Sequence, residues 1–148
     1  MLSLSRVAHA KRASVKVTTV EKYHFPVVTV EPFDETKRRR LVFNEAAKQQ
    51  LLQNYEQVAL VNGQENWYLV LPYTVDEARY AADENLPLPP EPELFKWLNV
   101  TKQGTVANAK LAEAICGNEG KEFQLVAEVS EEGIPVWKLE EIELVAVL

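Results

Sequence analysis

The 148-residue chain is 47% hydrophobic and sets 16 Lys/Arg against 22 Asp/Glu, for a net charge of −6, so it can bury a core as one compact domain or two small joined ones and is no disordered tail. One cysteine, Cys116, excludes an intrachain disulfide framework and a thiolate zinc site and suits a reducing, cytoplasmic setting. No apolar run approaches the roughly 20 residues that cross a bilayer, so no membrane partner is expected.

The total conceals a division. Residues 1–50 hold ten Lys/Arg against five Asp/Glu, and residues 51–148 hold six against seventeen. Such asymmetry draws a polyanion to one end of the molecule, or drives head-to-tail association into a homodimer.

The chain opens with MLSLSRVAHAKRA, which lacks the continuous apolar centre of a secretory signal. It reads as a basic arm bearing Arg6, Lys11, Arg12 and Lys16 rather than as a transit peptide, whose acid-free character it shares. SVKVTTVEKY, residues 14–23, is rich in β-branched residues with Val15, Val17 and Thr19 on one face, the pattern of a half-buried strand. Pro26 interrupts it, VVTV resumes the strand signal, and EPFDE turns the chain through Pro32 and Asp34. Four cations follow, Lys37, Arg38, Arg39 and Arg40. A strand is predicted from Arg39 to Phe43, then a helix over 45–52 with Asn44 as N-cap and Glu45 where the helix dipole favours an anion. Ala47 and Leu51 share its buried face. YEQVALV and WYLVLPY read as a strand pair joined at Asn62-Gly63, with extra residues implying a loop longer than the minimal hairpin.

This order of strand, helix, strand, turn, strand recurs in residues 104–142. Val106, Asn108, Leu111 and Ile115 stand where the first copy has Val42, Asn44, Ala47 and Leu51, all at one offset. KEFQLVAEV then matches YEQVALV, SEEG matches the hairpin turn, IPVWKLEEI matches NWYLVLPY, and Gly117 stands where a left-handed helix cap belongs. The fold class expected is α+β, mainly β, with two β-α-β-β repeats building a small barrel-like or two-sheet core. Its parts are a basic arm and strands over 1–36, the first repeat over 37–73, an insertion over 74–103 and the second repeat with a C-terminal strand over 104–148.

A basic strand, a short helix and a closing hairpin, present twice, resemble the swapped-hairpin fold of AbrB-like transition regulators and the tandem form found in MraZ-like regulators. The resemblance covers residues 37–73 and 104–142. It implies that the two units interlock their hairpins into a small barrel and that basic residues on the barrel contact DNA. Departures lie at the helix entrances, where Asn44-Glu45 and Asn108-Ala109 replace the proline typical of that family, and at Thr105-Val106, where the second copy has no basic run.

Within the insertion, Thr74-Val75-Asp76-Glu77 has the capping-box pattern of a short helix. NLPLPPEP makes an extended spacer, its PLPP segment formally matching a PxxP ligand but lacking a flanking cation. A second helix, ELFKWLNV, is predicted after Pro92, with Leu94, Phe95, Trp97 and Leu98 as an apolar anchor packed across the barrel. Leu51, Leu111, Ile115, Phe95 and Trp97 are expected in the core. Trp67, Tyr68 and Trp137 could offer bases a stacking platform, but alternating strand positions favour core or interface.

No catalytic constellation emerges. His9 and His24 lie near no carboxylate-serine or carboxylate-cysteine combination, Cys116 at a helix C-terminus reads as an inert thiol, and the five glycines form no phosphate loop. The adjacent acidic pairs read as solvated charge, so neither metal nor cofactor is expected. Two function classes stand ahead of an enzyme. One is a DNA-binding regulator or accessory protein of the swapped-hairpin type that uses Lys11, Arg12 and Lys37 to Arg40. The other is a protein-binding module, such as a phage or mobile-element inhibitor or assembly component, whose acidic face meets a basic partner. Alternation along a strand puts Arg38 and Arg40 on one side and Arg39 on the other, so the run cannot serve one polyanion whole.

Overall fold

A computed structural model describes residues 23–53, 56–81, 85, 88, 90 and 94–143. The predicted strand over 14–23 and the basic arm with Lys11 and Arg12 lie, but for Tyr23, outside the described residues. The architecture is α+β and mainly β: the described residues form eight antiparallel strands in a nearly closed barrel-like sheet, with three short helices.

Chain order explains most of the elements. β1 (Val27–Val30) and β2 (Arg40–Phe43) pair with Val28 opposite Phe43 and Val30 opposite Leu41, so a two-residue period carries all four side chains to the core. α1 (Glu45–Gln50) starts at Asn44, whose Oδ1 accepts the Ala47 N–H at 2.9 Å. β3 (Gln57–Asn62) and β4 (Trp67–Val70) form the first hairpin. Its turn uses Gln64 rather than Gly63 for the positive φ, 78°, while the Gln64 N–H is held by Asn62 Oδ1 at 3.0 Å. The second repeat adds β6 (Thr105–Ala107) and α3 (Ala109–Cys116), whose cap Asn108 accepts the Leu111 N–H at 3.0 Å. β7 (Lys121–Val129) and β8 (Pro135–Glu141) then make a longer hairpin.

Two expectations for the insertion are corrected. Its helix, α2 (Pro72–Tyr80), begins two residues before Thr74, because Pro72 has its backbone dihedral preset and lacks only an N–H that no helix start needs. The Thr74 hydroxyl donates to the Leu71 carbonyl at 2.8 Å instead of opening a capping box. The second predicted helix does not form over residues 94–99. Leu98–Asn99 is β5, paired with β3 through Gln57 opposite Asn99 and Val58 opposite Leu98, so sheet pairing overrides the helical spacing of the apolar residues. Leu94 is 77% exposed and anchors nothing.

The sheet order β5-β3-β4-β8-β7-β1-β2-β6 shows how the halves combine. The β3–β4 hairpin of the first copy is flanked by β5 and β8, and the β7–β8 hairpin of the second by β4 and β1. Each hairpin is therefore held on both sides by strands of the other half. β1 precedes β2 and pairs with β7 as β5 precedes β6 and pairs with β3, so the repeating unit is one strand longer than the sequence pattern indicates. The sheet's two edges, β5 and β6, are consecutive in the chain and are joined by a turn in which the Thr101 N–H donates to the Thr105 carbonyl at 3.0 Å. Gly104 makes that turn at φ 81°, where a Cβ would lie 3.2 Å from the Phe43 carbonyl oxygen.

The barrel interior is filled from both copies, by Val28, Val30, Leu41, Phe43, Val58, Leu69, Val106, Phe123, Leu125 and Leu139 among others. A smaller apolar layer outside β3, β4 and β8 (Ala59, Val70, Val75, Ile134 and Val136) is covered by α2 and by Phe95 and Trp97, whose rings stack at 5.3 Å. The helices contribute Ala47, Val75 and Ala112 as their fully enclosed residues, while Leu51, Leu111, Ile115, Phe95 and Trp97 are half-buried. Short helices on a barrel rim bury their smallest side chains at the closest approach and leave longer ones at the margin. The strand match also shifts by one residue: Val106 faces inward directly opposite Leu41, whereas Val42 faces out opposite Thr105.

Candidate interaction surface

Asp34 begins the turn that delivers the cation run. Its carboxylate accepts the Thr36 N–H at 2.9 Å and hydroxyl at 2.7 Å, and the backbone hydrogen bond first, then the hydroxyl, holds its pKa below the ordinary carboxylate value. The four cations then diverge. Arg39 is 5% exposed, and its guanidinium donates to the carbonyls of Glu31 at 2.6 Å, of Glu119 at 2.7 Å, and of Gly117. Gly117 ends α3, so this cation satisfies backbone oxygens left without partners where the helix dipole is negative. Arg39 is thereby removed from the candidate nucleic-acid grip.

Arg40 is exposed but committed. Its Nε and Nη2 meet the two oxygens of Glu31, each at 3.0 Å, and the hydrogen bond lowers the Glu31 pKa while raising that of Arg40. Lys37 and Arg38 are exposed and make no ion pair among the described residues. They border a shallow depression of about 140 Å³ that Glu31 and Asp34 also line. Of the four predicted cations, two remain available, and two carboxylates share their surroundings. The alternation expected of residues 38–40 is observed, with Arg39 turned in and its neighbours out, although only Arg40 belongs to β2.

Negative charge is arranged differently. Residues 119–143 hold eight carboxylates and two lysines. Phe123, Leu125 and Leu139 face inward, so alternation places Glu122, Glu128 and Glu140 on the outer face of β7 and β8. Lys138 stands among them, 3.7 Å from Glu128 and 4.0 Å from Glu140, and Lys121 lies 3.5 Å from Glu141 and 3.9 Å from Glu119. Two carboxylates stand near each lysine, so the outer face, with Glu122, Glu128 and Glu140 against Lys138, keeps a net negative charge, while Lys121 and Glu141 share the register of the inward-facing Phe123 and Leu139.

At the far end of this hairpin lies an open cavity of about 390 Å³ with Tyr68, Val61, Phe95 and Val129 among its apolar walls and Glu131 and Glu132 on its rim. Val129 is 70% exposed and Val61 36%. Neither Glu131 nor Glu132 makes an ion pair among the described residues. The sequence pattern marks these glutamates only as solvated charge. The cavity follows from tertiary pairing, which brings β3, β4 and the β7–β8 turn beside Phe95.

The remaining candidates are structural or dispersed. Cys116 is half-buried at the end of α3, its thiol donates to the Glu119 carbonyl at 3.0 Å, and burial pushes its pKa up against the opposing effect of Arg39. Trp67 and Trp137 pack against the barrel interior whereas Tyr68 packs on the outer layer, so the three do not form one stacking platform. Among the described residues, no group of three or more His, Cys, Asp or Glu is placed to hold a metal ion, and no helix is long and apolar enough to cross a membrane. Comparison of the chain with protein-family models, with curated proteins and with solved structures finds no match.

Proposed function

We propose that this protein is a protein-binding module, built as an interlocked-hairpin barrel, whose acidic β7–β8 face engages a cationic surface of a partner. The observation that carries this reading is the unequal fate of the two charge clusters. The cation run is split between a helix cap, an ion pair and two exposed side chains, while the outer face of β7 and β8 carries Glu128 and Glu140 beside Lys138 and Glu122 further along β7. Electrostatic complementarity of this kind speeds encounter and suppresses wrong partners more than it adds affinity. An inhibitor or assembly component that must find one basic surface has that requirement.

A DNA-binding regulator is the second reading. It is favoured by the interlocked hairpins, which match what the resemblance to AbrB-like and MraZ-like regulators implies, and by the exposed Lys37 and Arg38. The acidic composition of the body opposes it. Selection of a random dodecapeptide display library on the immobilised 148-residue chain separates the two. Enrichment of Lys/Arg-rich peptides that bind less to a Glu122→Lys, Glu140→Lys double variant supports the module. A failure to enrich cationic sequences removes it.

A further inference from the structure

We infer that the cavity between Tyr68, Phe95 and the β7–β8 turn is the specificity pocket of that interaction, and that it receives one aliphatic or aromatic side chain of a partner segment flanked by Lys or Arg. The inference rests on the protein-binding reading. It adds which chemistry the partner presents and where it is read.

The walls decide the apolar part. Val129 is 70% exposed at the end of β7 and Val61 36% at the end of β3, and both border the same cavity of about 390 Å³ as the Tyr68 and Phe95 rings. Its floor is the outer apolar layer of Ile134 and Val136. A cavity this size holds one large side chain and its backbone, not an extended apolar helix face. Exposed valines over an already packed apolar layer gain burial when such a side chain enters, the usual basis of a pocket that anchors a partner residue.

The rim decides the charged part. Glu131 and Glu132 border the cavity without an ion pair among the described residues, and Glu128 shares its only such pair, 3.7 Å, with a lysine that Glu140 also attracts. A partner with Lys or Arg beside its anchor places those cations against these carboxylates. An acidic partner meets repulsion there, so the pocket discriminates by charge as well as by shape. The geometry of the turn holds the two glutamates at the mouth, with Gly133 at φ 80° and the Ser130 N–H donating to the Ile134 carbonyl at 2.9 Å.

The test uses the full chain and the cationic dodecapeptides enriched on it, read by fluorescence anisotropy of labelled peptides. Enriched sequences should carry Leu, Ile, Phe, Trp or Tyr next to Lys or Arg. Val129→Asp, at an exposed position that leaves folding intact, should weaken them about tenfold or more, and Glu131→Lys should weaken them and flatten their salt dependence. Enriched basic peptides whose affinity ignores Val129→Asp and Glu131→Lys but falls with Glu122→Lys, Glu140→Lys overturn the pocket and leave the proposed function standing. A library yielding no cationic peptide overturns both. Dimerisation of the free chain in sedimentation, lost in Val129→Asp, would make a second copy the occupant and overturn the partner assignment.

Discussion

Arg39, at the approach to the second strand, donates to the Glu119 carbonyl 2.7 Å away, just beyond the last helix. One cation thus ties the start of the first half to a helix end in the second. Replacing Arg39 by Ala leaves three carbonyls without their charged donor and should destabilise the fold by roughly 2–4 kcal/mol, several charge-assisted bonds less the cost of burying the cation. Arg38→Ala, one residue away and exposed, should change stability by no more than about 0.5 kcal/mol. Urea unfolding of the two variants checks this, and equal midpoints would remove the structural role of Arg39.

The two helix caps look alike in sequence and differ in what they hold. Asn108 accepts one bond, from Leu111, whereas Asn44 accepts the N–H groups of Ala47 and Val27 at 2.9 and 3.0 Å and donates to the Phe25 carbonyl at 2.9 Å. Asn108→Ala should cost about 1 kcal/mol and Asn44→Ala about 2–3 kcal/mol. Hydrogen exchange should show faster opening of β1 only in the Asn44 variant.

Acid should weaken the Glu31–Arg40 bridge. Its hydrogen bond lowers the Glu31 pKa below the ordinary 4.5, so its contribution is present above that value and is lost as pH falls through the folded-state pKa. Both partners are partly exposed, so the contribution is at most about 1 kcal/mol. Glu31→Gln should lower the denaturation midpoint at neutral pH and flatten the decline in stability below pH 4.5. A variant with the wild-type slope in acid would assign that decline to other carboxylates.

Leu69 is fully enclosed and Ile115 half-buried on the rim. Leu69→Ala should therefore cost about 2–5 kcal/mol, and Ile115→Ala less than that range. Thermal unfolding of the pair distinguishes a closed barrel interior from a core centred on the helices.

What was legible in the sequence was local. The asparagine caps, the strand ending at Phe43, and the hairpins declare themselves through residue type and spacing, and two β-α-β-β patterns were enough for the fold class. The pairing of Leu98–Asn99 with β3 was not legible, because a two-residue strand carries no period and its helical apolar spacing points elsewhere. Alternation set Arg39 apart from Arg38 and Arg40 but could not say which side faces inward or what Arg39 binds there. All three are arginines in one basic run, and only the approach of the end of α3 makes Arg39 a cap and leaves Arg38 in solvent. The acidic pocket depends on four elements distant in sequence, so its glutamates looked like ordinary surface charge.

That the acidic hairpin rather than the cation run is the interaction surface is tested most directly by an anisotropy titration of labelled duplex and single-stranded DNA with the 148-residue chain at low and physiological salt, repeated with Lys37→Ala, Arg38→Ala. No saturable binding to either DNA that depends on these two cations is expected. Saturable binding whose log–log salt slope becomes shallower by about 0.9 for each cation removed would refute the assignment and place the grip at the start of β2.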